Sequence, residues 1–217
     1  MLGLLSKDFR LIKNQGILML AVMVVAGIGF AYGTGNPASG VGYLTMIGTL
    51  YCLNTISYDG YDNGYAFLFT LPVSPRMYAA EKYVLTLILS SVSCAVSAVV
   101  TELYVNEPSG LGERMFIYPG IWIAMLCVAG LMIPIHLKFG AEKGRILSVF
   151  GCALIFLGVY LLRALDQEKV KAVFDAIDAF TERVGDVGVL AAVAVFVVGF
   201  CLISLLISMR VMSRKEF

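Results

Sequence analysis

Few residues here have chemically useful side chains, and their spacing does not suit catalysis. His136 is the only histidine, so no histidine-based metal centre can form. It sits two residues after Pro134, at the end of an apolar run, and reads as an interfacial packing residue rather than a proton relay, although ionisable groups at membrane depth mark function by default. Cys52, Cys94, Cys127, Cys152 and Cys201 each fall inside an apolar segment. None makes a CxxC or other metal spacing. Such cysteines are most simply small, weakly polar packing residues. A phosphate-binding GxxxxGK[ST] loop is missing; the closest text, Gly140 to Arg145, is too short and wrongly ordered. GxSxG, HExxH and paired acids within an apolar segment are missing too. The residues therefore point away from an enzyme, and any nucleotide chemistry must come from another chain.

The informative residues lie together in one stretch, YDGYDNGYAFLFTLPVSPRMYAAEK, from Tyr58 to Lys82. It is too polar for a membrane span and too aromatic for an ordinary solvated loop. Asp59 and Asp62 precede an apolar run that Pro72 stops. Ser74 and Pro75 then supply the N-cap and first residue of a new helix. A short amphipathic helix in this setting, pressed on a membrane face, can pass force from a soluble partner to the spans beside it.

The elements that position this stretch follow from composition. Hydrophobic residues make up 59% of the chain and charged residues 14%, with mean hydropathy +0.88. A soluble domain is about 45–50% apolar and about 25% charged. The apolar excess is segmented into six runs, which predict an all-α protein with membrane spans at about 17–34, 39–57, 83–104, 117–137, 146–163 and 187–209. With the N-terminus placed in the cytoplasm, 11 of the 16 basic residues fall on the cytoplasmic side. That bias predicts cytoplasmic termini.

Before the first span, Leu2, Leu5, Phe9 and Ile12 recur at helical spacing, with Lys7, Asp8, Arg10 and Lys13 elsewhere on the wheel. This predicts an amphipathic helix lying in the cytoplasmic interface. The apolar run from Ile17 to Gly33 is longer than a secretory signal core and reads as a retained span. Thr34 to Ser39 reads as a tight Gly-Asn-Pro turn. The outer segment from Arg163 to Asp186 carries an apolar stripe from Val170 to Val184, which is either an amphipathic surface helix or a solvated connector. No helix breaker falls between Pro75 and Tyr104. A helix of that length would be about 45 Å long, so it should project into the cytoplasm and carry Arg76, Glu81 and Lys82 with it. Gly27, Gly29, Gly33, Gly42 and Gly48 permit close approach of the first two spans. Ser90, Ser93, Ser97 and Thr101, on one face of the third, either line a translocation path or pack against a neighbour.

ISYDGYDNGYAFLFTLPVSPRMYAAEKYV resembles the cytoplasmic loop of small ABC-2 type permeases, a group that includes permeases of the staphylococcal phenol-soluble modulin exporter and relatives in antimicrobial-peptide export or self-protection. PIHLKFGAEKGR, Pro134 to Arg145, is similar to their turn between the fourth and fifth spans, and LLSKDFRLIKNQ and SMRVMSRKEF to their two ends. Gly60, where the group usually has an acid, and Pro75-Arg76 depart from the pattern. The resemblance implies an ABC-2 or type V exporter-like fold in the bacterial cytoplasmic membrane. It implies a second permease chain, identical or paralogous, and a cytoplasmic ATPase that holds ATP and magnesium; this chain needs no cofactor of its own. It implies coupling through Asp59, Tyr61, Asp62, Phe67, Leu68 and Leu71, with Pro72, Ser74 and Arg76 at the hinge, and through Lys138, Phe139, Gly140, Lys143 and Arg145. An amphipathic peptide is the implied cargo, with lipid or a drug-like molecule as the alternative. A non-transporting scaffold or sensor subunit is the competing class. Lipids are the expected surroundings, and no feature points to nucleic acid.

Overall fold

The computed structural model describes residues 2–60, 64–104, 111–164, 192–193 and 195–215. Tyr61, Asp62 and the apolar stripe expected from Val170 to Val184 lie outside these residues, as does the side chain of Arg145. Among the described residues all regular structure is helical: α1 (Leu2–Thr34), α2 (Pro37–Asp59), α3 (Gly64–Leu68), α4 (Pro75–Tyr104), α5 (Leu111–Ala164) and α6 (Val195–Ser213).

The separate interfacial helix expected at the N-terminus is not formed. Instead α1 runs unbroken from Leu2 to Thr34, a rod of about 50 Å. The cause is visible in its buried face. Leu4 and Asp8, one turn apart, are both packed inside, whereas Phe9 from the expected apolar stripe is exposed. The first turns are held against the bundle, so they continue the span axis.

At the other end of α1 the chain reverses as its residues demand. Gly35 takes a left-handed φ of 64°, open to glycine at no steric cost. Asn36 then caps α2 by accepting the Ala38 N–H at 3.0 Å, and Pro37 fills the first helical position. α2 is central, packed against α1, α4 and α5. Two of its glycines make this possible. A Cβ on Gly40 would meet the Ala31 Cβ at 2.8 Å, and one on Gly48 would fall 1.8 Å from the Ser93 hydroxyl.

Ser74 opens α4 as predicted, accepting the Met77 N–H at 3.2 Å, and the helix runs the full length from Pro75 to Tyr104. Its first turns do not project freely, however. Arg76 is exposed, but Glu81 and Lys82 are wholly buried against α1 and α2. α5 breaks at Gly140, with φ 78° and ψ −179°, into arms 111–139 and 141–164. That backbone region is essentially glycine-only. Beyond the break, Gly144 packs on His136, so close that a Cβ there would come within 3.1 Å of the imidazole.

Among the described residues three stretches are long and apolar enough to cross a membrane: Pro75–Leu103, Ile117–Gly140 and Val195–Ser213. Val96, Val99 and Leu103 on α4, and Ile203, Leu206 and Ile207 on α6, face outward, as lipid-facing positions would. A buried apolar cluster lies at the end of the bundle where α2 meets α3. Leu4, Leu53, Ile56, Tyr65, Leu68, Tyr78, Ile133, Leu137 and Met212 meet there, so all six helices are tied together at that end.

Candidate functional site

The connection from α2 to α4 is held on one face and open on the other. Tyr65 donates its hydroxyl to the Ile56 carbonyl at 3.3 Å and meets Tyr78 edge-on at a ring separation of 5.8 Å. Phe69 stacks on Tyr65 and meets Tyr78 edge-on as well. Such aromatic pairs are each worth about 0.5–1.5 kcal/mol beyond their buried area. The opposite face presents Phe67, 72% exposed, and Leu71, 47% exposed. Leu68, expected among the outward anchors, instead points into the core at 7% exposure, because the five-residue α3 has one inward side and Leu68 shares it with Tyr65. Pro72 and Ser74 follow, both exposed, in the non-helical link to α4.

Beneath this connection lies a buried ion cluster. Lys82 sends its ammonium to Asp8, to Asp59 at 2.9 Å and to Thr55 at 3.2 Å. Lys7 pairs with Asp59 and stands 3.3 Å from Asp8. The Tyr78 hydroxyl donates to Asp59 at 2.9 Å. Burial pushes the Asp59 carboxyl up, but Lys82 and Lys7 more than offset it, so Asp59 is held below its ordinary range. Asp59 is therefore an inward tie between α1, α2 and α4, and is not free to meet a partner directly.

The second expected contact surrounds the Gly140 break. Lys138, Phe139 and Lys143 are exposed there, and the Lys138 ammonium lies over the Phe139 ring at 5.1 Å. Lys215 joins the two regions. It donates to the Leu137 carbonyl at 3.2 Å, near the end of the first arm of α5, and lies over the Tyr65 ring at 5.1 Å. Desolvation holds its ammonium below the ordinary lysine range. Phe67, Leu71, Phe139 and the nearby lysines thus stand on elements fastened to one another.

The hydroxyl stripe of α4 is largely buried against neighbouring helices. Ser90 accepts the Trp122 indole N–H at 3.1 Å, while Ser97 and Thr101 donate to carbonyls of their own helix. Ser93 abuts Gly48, and Ser93 and Ser97 also line an apolar groove of ≈ 300 Å³ with Val24, Leu44, Tyr51 and Val96.

Sequence reasoning missed Lys7, Asp8, Glu81 and Tyr78 as cluster members, and missed Lys215. One signal was present: Asp8 follows Leu4 by four residues, which places it on the same helix face. Among the described residues no group of three or more metal-ligating side chains could hold a metal ion.

The family model of ABC-2 family transporter proteins matches residues 3–213, and the chain belongs to that family. No curated protein and no solved structure is significantly similar to it. Family and apolar helices together make it a multi-pass membrane component of an ABC transporter.

Proposed function

We propose that the chain is the permease subunit of an ATP-driven exporter. In this reading it spans the bacterial cytoplasmic membrane six times, keeps both termini in the cytoplasm and works as a pair with a second permease, identical or paralogous. A separate cytoplasmic ATPase binds ATP and magnesium, and its strokes enter through the α2–α4 connection and the Gly140 turn.

The observation that carries this reading is the two-sided connection. Phe67, on the short helix α3, and Leu71, in the turn after it, are large apolar side chains left outside, while Tyr65 and Leu68 fix the other side of α3 into the core. A docked partner would push on a rigid lever. The sequence resemblance to phenol-soluble modulin permeases supports an amphipathic peptide as cargo, and of the hydroxyl stripe Ser93 and Ser97, which line the groove, are the polar positions offered to its path.

The test is ATPase turnover of the reconstituted complex with amphipathic helical peptides or with lipid and drug-like molecules added. Stimulation by peptides supports the peptide reading. Stimulation by lipids or drugs alone replaces the cargo. An absence of any associated ATPase would favour a scaffold or sensor role.

A further inference from the structure

The ion cluster carries one more acid than its bases can balance. Lys7 and Lys82 face three carboxylates, Asp8, Asp59 and Glu81. Asp8, Glu81 and Lys82 are fully buried, and the Asp59 side chain is 8% exposed. Lys82 has three N–H bonds, and Asp8, Asp59 and Thr55 take them. It stands 3.6 Å from Glu81 without a hydrogen bond to it. Neither Glu81 oxygen accepts a hydrogen bond from the chain, and Oδ1 of Asp8 accepts none either. Glu81 lies beside Asp8, and the nearest cation to Oδ1 of Asp8 is Lys7, 3.3 Å away and without a hydrogen bond to it. The remaining groups that act on Glu81 are the Lys7 ammonium from α1, a third exposed and already paired with Asp59, and the Cys52 thiol from α2. An uncompensated charge in such a place is strongly unfavourable. Two acids sharing a site commonly hold one proton between them.

We propose that Asp8 and Glu81 form a buried proton-binding pair that takes one proton from water and holds it as a hydrogen bond between α1 and α4. An O–H bond forms on a Glu81 oxygen, and the proton is donated to the unbonded Oδ1 of Asp8. The cluster is then neutral, with two ammonium groups against two carboxylates. The bound proton joins the first turns of α1 to the base of α4, directly under the α2–α4 connection. The site takes a proton rather than a metal ion, since the Lys82 ammonium already occupies the position between Asp8 and Asp59 and stands 3.6 Å from Glu81. This inference stands on the cluster alone and does not depend on the cargo or on the direction of transport.

Infrared spectroscopy of the full-length protein in lipid reads the proton directly. At neutral pH the wild type should show the carbonyl stretch of a protonated carboxyl, and Glu81→Gln should lose one such band. Asp8→Asn should lose it too, because two carboxylates then balance two lysines and Glu81 ionises. Raising the pH of the wild type should also remove the band. Wild-type and Glu81→Gln spectra that coincide throughout the carboxylic-acid region would overturn the proposal. So would a band that survives Asp8→Asn. If Glu81→Gln fails to accumulate, the wild-type pH titration and Asp8→Asn decide alone.

Discussion

Phe67 and Leu68 are adjacent in sequence and opposite in consequence. Phe67 is exposed and Leu68 buried. Leu68→Ala should therefore cost about 2–5 kcal/mol of stability, read as a lower melting temperature of the purified protein. Phe67→Ala should leave the melt unchanged and remove an anchor worth about 2 kcal/mol or more of docking. Arg76→Ala should cost about 0–1 kcal/mol of docking, since its pair would sit at an exposed rim. Co-purification with the ATPase and stimulated turnover rank the three. Asp59 behaves differently. Its carboxyl is held below the ordinary value of 3.8 by Lys82 and Lys7 against the upward push of burial. Its stabilisation is therefore fully present above that value and is lost as pH falls through the lowered one. Asp59→Asn should destabilise the protein by about 3 kcal/mol at neutral pH, because the buried Lys82 ammonium and the partly exposed Lys7 lose a partner. It should also flatten the acid limb of a melting-temperature profile. Residue types in the sequence marked Asp59 as important. They did not show it facing inward, because its partners Lys7 and Lys82 lie 52 and 23 residues away and only the packing of α1 and α4 on α2 brings them together.

Among the elements, those with strong local signals were legible. Ser74-Pro75 opened α4, the Gly-Asn-Pro turn parted α1 from α2, and the absence of breakers gave α4 its length. The first turns of α1 were misread as a flat interfacial helix because helical spacing of Leu5, Phe9 and Ile12 identifies a stripe without saying what covers it. The ion pairs of Asp8 with Lys82 and of Lys7 with Asp59 hold those turns upright instead. The Gly140 break shows what a single residue imposes on an element. Its φ of 78° with extended ψ costs a side-chain-bearing residue about 1–3 kcal/mol. Gly140→Ala should relieve that strain by straightening α5 and moving the second arm off His136. A double electron–electron distance between labels at Ala124 and Ala153 should lengthen in the variant; an unchanged distance would mean that the turn is held by packing alone.

For the whole molecule, the proposed topology rests on charge, and accessibility can check it. Cysteines placed at Gly110 and Asp175 in a cysteine-free background should label from outside, and those at Asp62 and Glu142 only from inside. Outside labelling at Asp62 would remove the coupling role of the connection. The structure adds what charge cannot give: α1, the α2–α4 connection, the Gly140 turn and the C-terminal Lys215 converge on one end of the bundle. That end is where a separate motor must act if the family assignment extends to mechanism. The most direct measurement is ATPase co-purification with the wild-type chain and with Phe67→Ala, alongside nucleotide binding by the chain alone. The isolated chain should bind no nucleotide, the wild type should form a stable complex, and Phe67→Ala should weaken that complex about 30-fold, the equivalent of about 2 kcal/mol. Nucleotide binding by the pure chain, or equal capture of the ATPase by both proteins, would contradict this.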